Sequence, residues 1–194
     1  FDKSTEKFVS FKSDKQNLNS LSSDYIFSIY NDHDEFLWLG TYGGGISKFN
    51  LTNNSCETFT IENGLPSNSV YGIIKDSNNH FWISTNNGIS NFSPSQKTFR
   101  NFTIRDGLQN NEFNGGSYYI SKIGELFCGG INGFNAFYPE NIKPNDYLPP
   151  VVYTSFKVFN QEANLSKPLT SINEIVLHHS DNVFSIEFAA LDYS

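Results

Sequence analysis

The sequence predicts an all-β chain: a partial β-propeller of four-stranded antiparallel blades, followed by the first strands of an Ig-like β-sandwich. Three observations predict it. Trp38 recurs as Trp82, 44 residues later, inside a longer stretch of self-similarity. Apolar runs of four to seven residues alternate with turns rich in Asn, Asp and Gly. No 11-residue window carries a helical period. Four short strands in each repeat of about 40–45 residues is the signature of propeller blades.

Taken in order, residues 1–11, FDKSTEKFVSF, match the tail of a repeat whose start lies upstream. The first whole repeat gives strands at Tyr25–Asn31, Phe36–Thr41, Gly45–Asn50 and Glu57–Ile61. In the second, Thr41 returns as Thr85, Phe49 as Phe92, and Asn63-Gly64-Leu65 as Asp106-Gly107-Leu108. Asp32-His33-Asp34 and Ser77-Asn78-Asn79 read as hairpin turns, since Asn tolerates positive φ. Gly43-Gly44-Gly45 permits a tight turn between strands two and three. The large aromatic of the second strand packs between neighbouring blades. A diverged third copy carries Phe127 in the tryptophan slot and Gly130 in the threonine slot, with Phe134 and Phe137 closing its third strand.

Residues 1–140 therefore read as the end of one blade, two full blades and a degenerate last blade. Residues 141–150 hold three prolines and read as a linker, because proline ends ladders and stiffens the chain. Residues 151–194 begin the sandwich. Its strands are Val151–Phe159, alternating around Val152, Thr154, Phe156 and Val158, then Glu174–Leu177 and Val183–Ala189. In the last, Val183, Ser185 and Glu187 share one face and Phe184, Ile186 and Phe188 the other. A closed propeller needs at least about four blades. These blades are either a slice of a larger propeller or all that is made. The chain opens on Phe1, and it reads as a fragment of a longer protein.

Composition narrows the function. The 194 residues carry a net charge of −7, which argues against a nucleic-acid backbone or an acidic membrane surface as partner. No run of roughly 18 apolar residues exists to cross a membrane. Cys56 and Cys128 sit in alternating apolar stretches without a CxxC or Cys/His cluster, and read as two separate buried thiols. Neither has a basic neighbour to activate it.

Catalytic readings fare poorly. A glycosidase needs two carboxylates roughly 5–10 Å apart. Asp32, Asp34, Glu35 and Asp76 fall in hairpin turns, where solvated acids are ordinary. Glu62 and Asp106 precede Gly-Leu turns, and Glu112 and Glu125 stand alone. His33 and His80 occupy equivalent turns and read as surface residues. His178 and His179 are adjacent, and on a strand they point to opposite faces. The triple glycine is followed by the strand-like ISKFN, so it lacks the helix a phosphate cradle needs. No GxSxG elbow is present, and the three Asn-x-Ser/Thr triplets read as chance in an Asn-rich chain. No catalytic residue, metal site or cofactor is expected.

The motifs FLWLGTYGGG and, loosely, FWISTNNGIS, the Asn/Asp-Gly-Leu before each new blade, NEFN at 111–114 and NGFNAFYP at 132–139 together resemble the regulator-propeller repeats of bacterial hybrid two-component sensors. NVFSIEFAALDYS, Asn182 to Ser194, is similar to the opening of the triple-tyrosine domain that follows those propellers. The resemblance implies a periplasmic sensor region of a membrane receptor, whose helix, histidine kinase and response regulator lie downstream. It implies oligosaccharide ligands and control of glycan-degrading genes. The fragment itself would then transfer no phosphate.

Propeller ligands usually sit over the central channel, at the loops between strands two and three and between blades. Those loops hold Tyr42, Asn86, Asn87, Asn110, Asn111 and Asn132. Tyr stacks on sugars and Asn bonds hydroxyls, although the same asparagines are good turn formers. Unpaired blade edges invite pairing between copies, so self-association or a homodimer is expected. A secreted scaffold that binds protein, or a propeller lyase or glycosidase, are the competing classes. Neither explains the tail.

Overall fold

A computed structural model of the chain describes residues 3–33, 35–143, 150–165, 167–172 and 174–191. The chain forms two compact units, Phe1–Ile142 and Lys143–Ser194. In the first, β1 (Ile26–Asp32), β2 (Phe36–Thr41), β3 (Ile46–Asn50) and β4 (Cys56–Phe59) form a four-stranded antiparallel sheet in sequence order. β5 (Val70–Lys75), β6 (Phe81–Thr85), β7 (Gly88–Ser93) and β8 (Thr98–Phe102) repeat it. β9 (Phe113–Ile120), β10 (Leu126–Gly130) and β11 (Gly133–Phe137) form a three-stranded third sheet. We call these blades 1, 2 and 3. Their first strands, β1, β5 and β9, lie against one another, so each blade starts at the inside and works outward. The all-β class is as the sequence predicts, and the described helical segments are single 3-10 turns.

Strand boundaries differ by a residue or two from the sequence reading. β4 stops at Phe59 and not at Ile61, because Thr60 caps a 3-10 turn over Ile61–Asn63. Asp34, in the first hairpin turn, lies outside the described residues. The second turn is as expected, with Asn79 at φ 63°. Near the start of the chain, Phe11 lies against Phe49 with ring centres 4.9 Å apart.

Each tryptophan is the centre of a layer between blades. Trp38, 1% exposed, is surrounded by Phe59 of its own blade and Phe81 and Phe92 of the next, at 6.1, 4.7 and 5.7 Å between ring centres. Trp82 repeats this with Phe102 at 5.6 Å and Phe137 at 4.9 Å. Truncating such a side chain to Ala costs about 3–5 kcal/mol. Both cysteines are buried and unbridged, as the sequence suggested. Burial pushes the Cys56 thiol up to about 11 and that of Cys128 to about 12.

Close blade stacking leaves room for a single Cβ at one cross-strand site in each inner hairpin. Blade 1 pairs Ser28 with Gly40, blade 2 pairs Gly72 with Ser84, and in blade 3 Gly129 faces Ser117. Serine and glycine have exchanged strands between blades 1 and 2. A Cβ on Gly40 would lie 2.2 Å from Ser28 Oγ and 2.7 Å from Val70 Cγ1 of the next blade. The hydroxyls of Ser28 and Ser84 are buried without a hydrogen-bond partner, so these serines act as spacers.

The second unit is a three-stranded antiparallel sheet in the order β13 (Gln161–Glu162), β12 (Val151–Val158), β14 (Phe184–Ala190). Glu174–Leu177, expected as a strand, is irregular. The register of β12 shifts between Tyr153 and Ser155, leaving Thr154 without a partner in the ladder. This bulge breaks the expected alternation: Tyr153 pairs with Phe188, and Phe156 with Ile186. Phe156, Phe184 and Ile186 form an apolar face over a groove of about 300 Å³ that Leu169, Ile172 and Leu177 also line. Lys157 bonds Glu187 at 2.6 Å on the polar side. Most of the proline-rich linker, residues 144–149, and the end of the tail, residues 192–194, lie outside the described residues.

Gly40→Ala should lower the unfolding free energy in urea by about 1–3 kcal/mol, as overpacked sites do. Adding Ser28→Gly to the same chain should recover part of the loss, since it removes the nearest clashing atom.

Candidate functional site

The sequence candidates lie on the loops between β2 and β3, between β6 and β7, between β10 and β11, and between blades. Those loops are tied down by a repeated set of hydrogen bonds. The Thr60 hydroxyl accepts from Glu62 N while Asn63 Oδ1 accepts from Thr60 N. Thr103, Arg105 and Asp106 make the same capping box in the next loop. Gly64 and Gly107 follow at φ 106° and 93°. Asn68 Oδ1 then accepts from Ile61 N at 3.0 Å, and Asn111 Oδ1 from Ile104 N at 2.8 Å. The carbonyls of Asn68 and Asn111 receive the N–H of Gly45 and Gly88, which joins each loop to the turn beside it.

The β2–β3 turn is held by Thr41, whose hydroxyl donates to Gly45 O and accepts from Gly44 N. Thr85 does the same with Gly88 O and Asn87 N. In blade 3 glycine replaces this threonine for a steric reason. A Cβ on Gly130 would lie 1.9 Å from the Gln109 side chain. Gln109 Oε1 instead accepts from Asn132 N at 2.8 Å, taking over the threonine's task from the preceding loop.

Most of the candidate amides are engaged in this scaffold. Asn87 Nδ2 donates to Pro66 O at 3.1 Å, and Asn132 Nδ2 to Gln109 O at 3.2 Å. Asn110 Oδ1 accepts from Glu112 N, and Asn111 caps its own loop. Asn86 is exposed, as are Asn87 and Asn132. Tyr42 is 55% exposed, and its ring meets Phe27 edge-on at 5.7 Å.

Phe27 leads to residues that sequence reasoning passed over. In blade 1 Ile26 pairs with Thr41 and Ser28 with Gly40, which leaves Phe27 as a bulge. In blade 2 Val70 pairs with Thr85 and Gly72 with Ser84, leaving Tyr71 at the same step. A bulge re-aims its side chain out of the ladder. The two rings meet at 5.5 Å, and on β9 a Cβ on Gly115 would lie 3.9 Å from Phe27. Phe27, Tyr42 and Tyr71 thus form an aromatic cluster at one end of the inner strands. Burial pushes the Tyr71 hydroxyl's pKa up, with further contributions from the Glu112 carboxylate and Tyr42. The available signal was the alignment of Phe27 with Tyr71, each before a small residue.

The hairpin turns at the other end correct an expectation. Asp32 and Asp76 are not ordinary solvated acids. Each accepts the indole N–H of its blade's tryptophan, Trp38 at 3.2 Å and Trp82 at 2.9 Å. Asp76 also accepts from Asn78 N and His80 N. Asp32 bonds Lys75 of the next blade at 2.7 Å, with the two side chains only 18% and 12% exposed. Burial raises the Asp32 pKa, but hydrogen bonds from Lys75 and Trp38 and the charge of Lys75 outweigh it and hold the carboxyl below its ordinary value. Asp32, Lys75, His33 and His80 line a polar groove of about 330 Å³. The His33 side chain is 86% exposed. His178 and His179 lie outside any strand, so their rings are not held on opposite faces but stand 4.0 Å apart. Among the described residues no group of three or more His, Cys, Asp or Glu could hold a metal ion. Ser166, in the last Asn-x-Ser triplet, lies outside the described residues.

Residues 20–43 and 64–87 match the family described as "Two component regulator propeller". The chain is 28% identical over 241 aligned positions to histidine kinase P4 of Formosa agariphila, covering 95% of this chain and 18% of that protein. It therefore spans under a fifth of the length of that curated relative. Among solved structures, the extracellular domain of a protein named as the hybrid two component system BT3049 of B. thetaiotaomicron superposes with a TM-score of 0.44 at 22% identity, over 92% of this chain and 31% of that one. The extracellular domain of BT4673 from the same organism gives 0.44 at 20% identity, over 84% and 22%. The matched residues are β1 and β2, with the loop before them, and their counterparts β5 and β6, so the inner halves of blades 1 and 2 each match the two-component regulator propeller repeat.

A carboxyl whose folded pKa lies below its unfolded one stabilises the fold above the unfolded pKa, and that share is lost as pH falls through the folded pKa. Asp32→Asn should therefore be less stable than the parent at pH 7, and its stability should fall less steeply between about pH 5 and 2. Urea titrations at stepped pH would measure both.

Proposed function

We propose that this chain is part of the extracellular ligand-sensing region of a two-component receptor, facing the periplasm. The regulator-propeller repeats and the likeness to a histidine kinase support the receptor reading. In the longer protein the second unit opens a triple-tyrosine domain, and a membrane helix and kinase follow it. The fragment binds and does not catalyse.

The ligand is an oligosaccharide, bound at the loop face. The observation that carries this is the partly exposed cluster of Phe27, Tyr42 and Tyr71, rigidly placed by two bulges and one turn. Rings set steeply to one another offer walls for the apolar faces of a sugar. Around them Asn86, Asn87, Asn110, Asn111 and Asn132 present amide and backbone groups to hydroxyls. Most of these amides spend one bond on the scaffold, and each amide group can make up to about four. Signalling then requires that the ligand bind two receptor states with different affinity, since equal affinity shifts nothing.

Calorimetric titration of the chain with a panel of neutral and acidic oligosaccharides tests the proposal. One class should bind, and Tyr42→Ala or Tyr71→Ala should weaken it about tenfold, as for an aromatic contact of about 1–1.5 kcal/mol. Binding that survives both substitutions would move the site elsewhere. No binding across the panel would remove the oligosaccharide from the reading.

A further inference from the structure

The inner strands of the three blades break register at the same step, and blade 3 breaks it differently. In blade 1 one residue, Phe27, stands between the pairs Ile26–Thr41 and Ser28–Gly40. In blade 2 one residue, Tyr71, stands between Val70–Thr85 and Gly72–Ser84. In blade 3 Phe113 pairs with Gly130, and Ser117 faces Gly129. Asn114, Gly115 and Gly116 stand between them, and no residue of β10 pairs with these three. An aromatic ring has been exchanged for three residues with one short side chain among them. The turn of the strand does not require this, since a single bulged residue makes it in blades 1 and 2. Each glycine also loses more conformational freedom on folding than any other residue. What the exchange provides is room. All three residues are exposed. Gly116 is held at φ 74°, and a Cβ on it would meet nothing within 4 Å. Bare backbone beside open space is how glycine lets a ligand come close.

This room adjoins the aromatic cluster. The Phe27 ring meets Tyr71 of blade 2 and also reaches the bulge of blade 3, where a Cβ on Gly115 would make ordinary contact with it at 3.9 Å. Phe27 is still 46% exposed. The root of the bulge is fixed, because Phe113 is 1% exposed and shares a core cluster with Tyr71. Glu112 precedes Phe113 and is exposed. Its amide donates to Asn110 Oδ1 and its carbonyl accepts from Gln109 Nε2. Its carboxylate acts on the Tyr71 hydroxyl, whose pKa it helps to raise after burial. The loops between these blades and the turns beside them, residues 42–45, 60–69, 86–87, 103–112 and 131–132, carry three carboxylates and one guanidinium. Of the three, Asp106 is spent on capping its own loop.

Resting on the oligosaccharide reading above, we propose that the β9 bulge is a further wall of the ligand site, beside Phe27 and Tyr71, and that Glu112 at its root restricts the site to uncharged sugar residues. A pyranose lies with an apolar face against one of the rings. Its edge hydroxyls reach the backbone of Gly115 and Gly116 and the Asn114 carboxamide, which offer both donors and acceptors. A sugar carboxylate or sulfate would be brought towards Glu112, and like charges repel. Blades 1 and 2 thus supply the stacking surface, and blade 3 supplies the polar contacts and the charge selection.

Calorimetric titration of the whole chain with two linkage-matched series tests this. One series is hexamers of glucose, mannose and galactose. The other is hexamers of glucuronate, mannuronate and galacturonate, which carry a carboxylate in place of the hydroxymethyl group. A neutral hexamer should bind, and its acidic counterpart should bind at least about tenfold more weakly. Glu112→Gln should narrow that difference. Gly115→Ala and then Gly115→Val should weaken the neutral hexamer stepwise, by at least about tenfold for valine, as filling a close-fitting space does. The urea midpoint of Gly115→Ala should stay that of the parent, because its Cβ meets only ordinary contact. A neutral hexamer weakened by Tyr42→Ala but not by Gly115→Val would overturn the role of the bulge and leave the aromatic site standing. An acidic hexamer that binds as tightly as its neutral counterpart would overturn the role of Glu112. Binding by neither series would overturn this proposal and the oligosaccharide reading together.

Discussion

The structure depends on one contact made twice: an indole ring on the second strand of a blade, pressed between its own fourth strand and the face of the next blade. Trp38 and Trp82 do this with nearly the same neighbours. A buried indole needs its N–H satisfied, and an aspartate six residues earlier, across the hairpin, does so in both blades. The tryptophan therefore fixes the hairpin end as well as the layer. Once its position is set, the inner hairpin must come close to the next blade, and the paired serine and glycine follow from that distance.

The loops obey a second constraint. Each passes from the outermost strand of one blade to the innermost of the next, and it must satisfy its own backbone on the way. A capping box, a left-handed glycine and an asparagine acceptor do this within a few residues. The face that results is rigid, and it carries its aromatic cluster on bulged inner strands rather than on the loops alone.

Much of this was legible in the sequence, and the limits have physical causes. Trp38 and Trp82, Thr41 and Thr85, and the two Gly-Leu steps stand out because the same residues recur at the same place in two successive repeats. The candidate Tyr42 could be placed on its turn by counting. Phe27 and Tyr71 could not, because counting by two assumes an unbroken ladder and both are bulges. Thr154 misleads in the same way in the second unit. The aspartates looked like turn residues because a short acid beside Asn and Gly is usually that; only the fold shows the indole above them. The asparagines were read correctly as loop residues, while the bonds of Asn87 and Asn132 reach back to the loop before their own blade, which spacing alone does not show.

Gln109 has a consequence for how such chains can change. Its carboxamide stands in for the missing threonine of blade 3, yet it belongs to the loop before that blade. Pro66, at the corresponding step, is likewise bonded by Asn87 of the blade that follows. The heritable module is therefore not the sheet one sees but a loop together with the sheet after it. Recombination between repeats that cuts at the start of a sheet would separate Gln109 from Gly130, leaving a clash or an unsupported turn. A cut upstream of the Gly-Leu step would carry the two together, and duplication of blades in such a chain should have followed that offset frame.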